Sequence, residues 1–292
     1  MSFTILLIMT SSSYYRSKRN LCFGLTLLLL SGFTSTLSAQ SYRILLSNDD
    51  GIESPLLIAL HQVLVALPDV EVVVSAPNEN QSGSSHSTNS GPVVVERIQH
   101  EGEFFGYAVQ GRPADAVRFG LYELGKENAF DLVVSGINRG ANVGDVSHLS
   151  GTIGAAMEGI YQGVPAIAVS QESEGVDTAA SARFTAQLVT LYKEQGAPQG
   201  TLVSINIPGG ELQGVSVRPM GDSYLQTSHY ELVERAGDRS VYERERITVQ
   251  SSDSRTDTYA YQQGYITLTP LKFDWTDTDF LDRLESWSLP LP

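Results

Sequence analysis

The chain has 292 residues, enough for one large domain with its own core, and its formal net charge is −14. The first 39 residues contain three of the 19 basic residues and none of the 33 acidic residues, so the chain from Gln40 carries −17. This charge argues against binding to nucleic-acid polymers or anionic membranes, and an anionic substrate would need a metal ion or a helix amino terminus as a local positive feature.

Residues 1–39 have the order of a secretory signal peptide. Basic residues precede an apolar run from Leu21 to Leu30, and small residues follow up to Ala39. The apolar run is too short to span a bilayer, so a cleaved leader is preferred to a membrane anchor, and a periplasmic or secreted protein of residues 40–292 is predicted. A misassigned start codon would instead give a cytoplasmic protein. The only cysteine, Cys22, lies in this leader, which leaves the rest without thiol chemistry.

After the leader, short apolar strands alternate with amphipathic helices. The predicted strands are Ile44–Leu46, Glu71–Ser75, Asp131–Ser135, Pro165–Ser170 and Leu202–Ile207. The predicted helices are Pro55–Leu67, Pro113–Tyr122, Gly151–Gln162, Thr178–Tyr192 and Phe280–Trp287. This alternation is typical of an α/β protein, a Rossmann-like three-layer sandwich with a mainly parallel sheet. Ser54 is expected to cap the first helix, with proline in its first turn.

Two other stretches interrupt the alternation. Val93–Ile98 and Phe105–Val109 are predicted to form a hairpin-like pair, after a long polar loop from Ala76 to Gly91. Loops of that length are usually functional or disordered. Residues 215–269 lack long helical periods and are predicted to form a β-rich C-terminal excursion, whose last strand, Tyr265–Thr269, returns to the main body.

The first strand ends in Asn48-Asp49-Asp50-Gly51, called here the first loop. Two adjacent carboxylates at the carboxyl end of a parallel strand stand where open α/β sheets bind ligands. Like charges so close raise one pKa, and a hard divalent cation such as Mg²⁺ or Mn²⁺ between them removes the conflict. The alternative is a surface turn, for which these residue types are ordinary.

Two further loops at strand ends contain polar side chains suited to the same site. The second loop, Asn80 to Ser85, offers hydroxyls, amides and backbone N–H groups, although a solvated loop would have the same composition. The third loop, Ser135 to Gly144, places Asn138 and Asn142 between glycines, a pattern that helix capping does not explain.

The third loop leads into Ser150-Gly151-Thr152 at the start of a predicted helix. Both hydroxyl side chains can cap this helix, whose first N–H groups are unpaired and whose dipole favours an anion. Gly151 would let a phosphate approach the backbone closely.

Four motifs, in this order, resemble the SurE survival-protein family. They are ILLSNDDGI, SAPNENQSGSSHS, GRPADAV, and VVSGINRGANVG together with SGTIGAAMEG. The resemblance runs from about Tyr42 to the C-terminus and is densest in the first half. It implies a divalent-metal-dependent nucleotidase or acid phosphatase, a 5'-nucleotidase acting on nucleoside monophosphates, with one Mg²⁺ or Mn²⁺ per subunit. A homodimer or homotetramer is also expected.

The resemblance assigns roles to particular residues. The implied metal ligands are Asp49, Asp50, Ser82 and Asn138, and the implied phosphate-binding residues are Asn142, Ser150, Gly151 and Thr152. The two aspartates are also the candidate catalytic residues. The sequence leaves open whether one attacks phosphorus directly, but metal-activated water is favoured because a ligated carboxylate is a poorer nucleophile. Arg112 replaces the threonine usual in the third motif, which adds a cation near the site and bears on substrate preference.

Histidines and tryptophans give weaker signals. His86 or His148 could protonate a leaving alkoxide, although a histidine in a polar loop is more often simply solvated. His61, inside the first helix, is expected to be structural. Trp275 and Trp287 are expected to form packing or an oligomer interface rather than a base-stacking platform.

Two other functions fit parts of the pattern. A haloacid-dehalogenase-type phosphatase also places aspartates after a strand, but it needs one residue between them, which Asp49-Asp50 lacks. A non-enzymatic periplasmic phosphate- or nucleotide-binding protein would share the α/β fold and the leader, and it would bind its ligand without metal or turnover.

Overall fold

The computed structural model describes residues 41–289 and Leu291. Its strands are β1 (Tyr42–Ser47), β2 (Val70–Pro77), β3 (Val95–His100), β4 (Glu103–Val109), β5 (Leu132–Arg139), β6 (Ala166–Gln171), β7 (Thr201–Ile207), β8 (Gly214–Val217), β9 (Leu225–Ala236), β10 (Arg239–Thr248) and β11 (Tyr265–Lys272). Nine of them form one sheet in the order β3-β4-β2-β1-β5-β6-β7-β11-β8. Six adjacent strands of this sheet run parallel, in the order β4-β2-β1-β5-β6-β7, which confirms the predicted mainly parallel sheet.

The helices are α1 (Pro55–Val65), α2 (Pro113–Phe119), α3 (Gly151–Tyr161), α4 (Thr178–Gln195), α5 (Asp257–Gln262) and α6 (Thr278–Ser286). A π-helical turn, Gly120–Leu124, extends α2 beyond its last α-helical residue. Ser54 occupies the N-cap position of α1 and Pro55 lies in its first turn, as predicted, but the Ser54 side chain makes no capping hydrogen bond. Its backbone carbonyl instead accepts from the N–H of Ile58 at 3.1 Å.

Alternating side chains of the central strand β1 face two separate cores. Ile44 and Leu46 pack with α1 and α4 on one face of the sheet, and Leu45 packs with α2 and α3 on the other. All three side chains are fully buried, and each contributes about 1.5–3 kcal/mol through removal of apolar surface from water. Helices on both faces therefore give the three-layer sandwich, with the ends of β1 fixed between its neighbours β2 and β5.

β5 continues beyond Ser135, the predicted end of the strand, to Arg139, so the first residues of the third loop belong to the sheet. Its pairing with β6 is irregular between Ser135 and Asn138. Gly136 has φ +134°, and a Cβ there would lie 2.3 Å from the carbonyl oxygen of Val169. Only glycine fits this contact, and the irregularity brings Asn138 to the carboxyl edge of the sheet.

The C-terminal part returns to the sheet as predicted, because β11 pairs antiparallel with β7. β9 and β10 form a separate antiparallel two-stranded sheet, the β9–β10 hairpin, with nearly every residue exposed. Within the stretch 215–269, β8 belongs to the main sheet and α5 is helical. Sequence periodicity missed α5 because six residues give too few turns to show a pattern.

The predicted signal peptide at residues 1–39 lies outside the described residues. In the part of the chain that the structure describes, every helix is too short or too polar to cross a bilayer.

Candidate functional site

Asp49 lies directly beyond β1 and is only 3% exposed. The hydroxyl of Thr152, in the first turn of α3, donates a 2.5 Å hydrogen bond to its Oδ1 atom. Burial raises the pKa of Asp49 to about 6, the hydrogen bond from Thr152 opposes this rise, and the charge of Asp50 adds to it. The raised pKa means that burial disfavours the ionised form of Asp49, and a cation beside the carboxylate would stabilise that form.

Asp50 connects all three loops. The side-chain amide of Asn80, in the second loop, donates to Asp50 Oδ1 at 3.2 Å. The backbone N–H of Arg139, at the end of β5, donates to Asp50 Oδ2 at 3.2 Å. Burial raises the pKa of Asp50, while the N–H group and charge of Arg139 oppose the rise. The structure therefore brings the predicted strand-end loops together around the two aspartates.

The turn after β1 is held by its own residues and by the second loop. Asn48 is fully buried and donates through Nδ2 to the carbonyl oxygen of Gly51 at 2.9 Å. Gly51 has φ +99°, and a Cβ there would lie 3.1 Å from the backbone of Glu79. The N–H of Gln81 donates to the carbonyl oxygen of Asp49 at 2.7 Å. These contacts fix the backbone from which both carboxylates extend.

The second loop presents two serines of different character. Ser82 is exposed, and its N–H donates to Asn80 Oδ1 at 3.1 Å. The hydroxyl of Ser84 is buried, and among the described residues it has no hydrogen-bond partner. It lies 2.8 Å from the position that a Cβ of Gly151 would occupy. Composition alone could not separate these two serines, and the sequence assigned a role only to Ser82.

The start of α3 approaches Asp49 closely. Ser150 Oγ accepts from the N–H of Ile153 at 3.2 Å, which confirms it as the helix cap. The prediction that Thr152 also caps the helix is wrong, because its hydroxyl donates to Asp49. A Cβ on Gly151 would lie 2.8 Å from Asp49 Cβ. Glycine is therefore required here to bring the helix terminus against the carboxylate.

The two asparagines of the third loop have different partners. Asn138 is nearly buried, and its Nδ2 donates to the carbonyl oxygen of Gly140 at 2.6 Å, so its Oδ1 is the atom suited to a cation. Asn142 donates through Nδ2 to Ser170 Oγ at 2.9 Å, and its N–H donates to Asn206 Oδ1 at 2.7 Å. Asn142 thus fastens the third loop to β6 and β7.

A buried ionic cluster behind α3 was missed by the sequence analysis. Glu158 is fully buried and accepts from Arg118 Nε and His86 Nε2, both at 2.7 Å. Burial would raise the pKa of Glu158, but hydrogen bonds from His86, Arg118 and Gln162 hold it below its ordinary value. His86 is therefore anchored rather than simply solvated. The only available signal was a lone acid among the small and apolar residues of α3.

The other predicted positions are also visible. His148 is exposed, with its ring 6.0 Å from that of Trp275. Arg112 donates through Nη1 to Gln81 Oε1 at 2.8 Å, which places a cation against the second loop. His61 packs edge-on against Phe105 at 5.0 Å, in agreement with its expected structural role.

Neutral oxygen donors are essential to any metal site here. Across residues 41–289 and 291, His, Cys, Asp and Glu form no cluster of three or more that could hold a metal ion. A cation at Asp49 and Asp50 would depend on hydroxyl and amide oxygens for its remaining ligands. All these donors are hard oxygens, the kind that Mg²⁺ and Mn²⁺ prefer.

The fold and the site define an α/β protein whose ligand site lies beyond the carboxyl ends of the parallel strands. A family model described as Survival protein SurE matches residues 44–227, and the chain belongs to this family.

Known proteins resemble the chain over most of its length. The 5'-nucleotidase SurE of Chlorobaculum tepidum is 37% identical over 260 residues, which cover 87% of this chain and 97% of the relative. The protein of the same name from Symbiobacterium thermophilum is 35% identical over 252 residues, which cover 84% of this chain and 98% of the relative. The crystal structure of the SurE protein from Aquifex aeolicus superposes with a TM-score of 0.74 at 31% identity, covering 85% of this chain and all of that one.

Proposed function

We propose that this protein hydrolyses phosphate monoesters with the help of a divalent cation, and that nucleoside 5'-monophosphates are its main substrates. The observation that carries the proposal is the meeting of Asp49 and Asp50 with the amino terminus of α3, through the hydrogen bond from Thr152 to Asp49. The relatives named 5'-nucleotidase support the substrate class. The haloacid-dehalogenase alternative is not favoured, because family membership and the adjacent aspartates both argue against it.

The donor set fits one Mg²⁺ or Mn²⁺ per subunit. Asp49 and Asp50 supply negative charge, and Ser82 and Asn138 would supply neutral oxygens to complete the site. The cation would offset charge on the phosphate oxygens and activate a water molecule for attack.

The residues of the chain itself would orient the ester. The hydroxyl of Thr152 donates to Asp49 Oδ1, and the N–H of Thr152 also faces this carboxylate, so both groups fix its orientation. The first N–H groups of α3, at Gly151 and Thr152, have no partner within the helix. The N–H of Gly151 is suited to a phosphate oxygen, while that of Thr152 already faces Asp49 and would be shared between this carboxylate and the phosphate. In a chain as acidic as this one, the helix terminus and the cation together would provide the positive potential that the substrate requires.

A phosphate-release assay tests the proposal. Wild-type protein is given a panel of phosphate monoesters, including adenosine 5'-monophosphate, with Mn²⁺ or with EDTA. We expect release only with the cation, and no release from the Asp49→Asn variant. Asp282→Asn, at an exposed position of α6, serves as the matched control and should retain activity. Release unaffected by EDTA, or by loss of the Asp49 charge, would contradict the proposal. Ligand binding without release under any condition would favour the binding-protein alternative.

We also propose that the protein is a homodimer or homotetramer assembled through the β9–β10 hairpin. An isolated two-stranded hairpin is marginally stable in water, yet this one exposes apolar side chains such as Tyr230, Leu232 and Ile247. Burial against a second copy would stabilise it. Light scattering coupled to size exclusion should give a multiple of the chain mass, and Leu232→Asp should reduce it. A wild-type monomer would refute this assembly.

We further propose that the chain is exported and cleaved near Ala39. The support is the order of basic, apolar and small residues in positions 1–39. Mass spectrometry of protein from the periplasmic or extracellular fraction should give a mature amino terminus near Gln40. Recovery of the full-length chain from the cytoplasm would contradict this proposal.

A further inference from the structure

A cleft of about 850 Å³ opens beside the amino terminus of α3. Its walls come from the second half of the long loop after β2, the first turns of α3, and residues 270–276, which form the end of β11 and the segment after it. We propose that this cleft binds the base of the nucleoside monophosphate, with Trp275 and Phe273 as the stacking surface. The inference rests on the proposed function and assigns the part of the site that holds the leaving group.

The cleft adjoins the position proposed for the phosphate. Ser150 caps α3 and also lines the cleft, and Thr152, two residues further on, contacts Asp49. Ser85 lies on the cleft wall, next to Ser84, whose hydroxyl faces Gly151. An ester whose phosphate sits at the start of α3 can therefore extend its other end directly into the cleft.

Two aromatic side chains that line the cleft are exposed. Trp275 is 77% exposed and Phe273 is 44% exposed, and their ring centroids are 6.4 Å apart. The ring of Phe273 packs against Tyr161 at 5.3 Å and against His86, another residue of the cleft lining, at 5.5 Å. His86 is itself anchored to Glu158. The position of Phe273 is thus fixed in part through His86, while Trp275 keeps most of its surface open to a ligand.

The exposure of Trp275 changes the role expected from the sequence. Packing or an oligomer interface was the expected role for this side chain, and in the structure of the single chain most of its surface is exposed. Aromatic side chains with a free face bind bases by stacking, which tolerates different bases because each has a π face. The cleft volume falls in the range of sites for small ligands, about 300–1,000 Å³. Lys272 and Asp274, which form an ion pair with each other at 3.6 Å, also line the cleft and bring a donor and an acceptor within it for the edge of a base.

A comparison of two substrates tests the assignment. The kcat/KM for adenosine 5'-monophosphate is divided by that for ribose 5-phosphate, which has the same phosphate and sugar but lacks the base. The wild-type protein should prefer the nucleotide by about ten-fold or more, and Trp275→Ala should reduce this ratio by about ten-fold, mainly through KM, because base–aromatic stacking is lost. Phe104→Ala, an exposed aromatic residue on β4 outside the cleft, is the matched control and should preserve the ratio.

A binding measurement gives a readout that is independent of turnover. The chain has two tryptophans, so Trp287→Phe leaves Trp275 as the only tryptophan reporter. Adenosine should quench its fluorescence saturably in EDTA-treated protein. The reciprocal variant, Trp275→Phe, should show no saturable quenching from the remaining Trp287.

The outcomes separate this inference from the proposed function. Hydrolysis of both substrates with a ratio near one, or a ratio unchanged by Trp275→Ala, would overturn the base-binding role while leaving phosphatase activity intact. Saturable quenching in the absence of Trp275 would overturn it as well. Absence of phosphate release from both substrates by the wild-type protein would refute the proposed function, and the inference with it.

Discussion

Replacement of Asp49 by asparagine should stabilise the metal-free protein while abolishing its activity. Asp49 is 3% exposed, and its pKa is raised from 3.8 to about 6, chiefly by burial. At 1.36 kcal/mol for each pH unit, the ionised side chain costs about 3 kcal/mol at neutral pH. Because the folded pKa is the higher one, the cost is complete above pH 6 and disappears as the pH falls toward 3.8. Asparagine removes the charge and keeps an oxygen for the hydroxyl of Thr152.

Thermal unfolding at pH 7.5 in EDTA measures this effect. The Asp49→Asn variant should melt about 6–12 °C higher than the wild-type protein, as expected for 3 kcal/mol in a domain of this size. Between pH 6 and pH 4 the difference should shrink, since the wild-type carboxylate becomes protonated. Mn²⁺ should raise the melting temperature of the wild-type protein and not that of the variant. A variant that is less stable in EDTA, or that gains as much from Mn²⁺ as the wild-type protein, would refute the reasoning.

Three further substitutions test the surroundings of the site. Thr152→Val removes the hydroxyl that donates to Asp49, so phosphate release should fall about 10–100-fold. Thr152→Ser keeps the hydroxyl and should retain most activity. Equal rates for the two variants would contradict this role. Gly154→Ala puts a methyl group 2.0 Å from a carbonyl oxygen of the loop after β2. Urea unfolding should show a loss of about 1–3 kcal/mol, which the control Gly91→Ala, where a methyl group would lie in open space, should not show. Glu158→Gln breaks the buried ionic cluster and should cost on the order of 3 kcal/mol, the low end for buried pairs because the arginine is partly exposed. The pKa of Glu158 is lowered, so its contribution should be present above pH 4.5 and lost in acid, and an unchanged urea midpoint at neutral pH would contradict it.

The sequence predicted the fold well because the sheet is buried on both sides. Strands such as β6, with every residue buried, appear as continuous apolar runs, and the helices between them have clear spacing. Short or irregular elements left no such pattern. α5 is too brief to show a period, and the extension of β5 depends on a contact between Gly136 and Val169 that only the folded chain reveals.

The site was predictable by residue type at strand ends, but its internal connections were not. Asp49 and Asp50 could be proposed because adjacent carboxylates at such a position suggest a ligand. The use of the Thr152 hydroxyl could not be foreseen, since a residue in the first turn of a helix equally suits capping. The cluster around Glu158 joins residues 72 and 40 positions apart, and sequence spacing carries no information about such contacts.

The measurement that tests the account most directly is a titration of Mn²⁺ into EDTA-treated, dialysed protein, with bound cation and phosphate release from adenosine 5'-monophosphate followed together. Release should rise from zero in proportion to occupancy and saturate at one cation per chain, and Asp50→Asn should weaken both curves in parallel. Full release before any cation is added, or unchanged binding in the variant, would contradict the claim that these two carboxylates hold the ion on which hydrolysis depends.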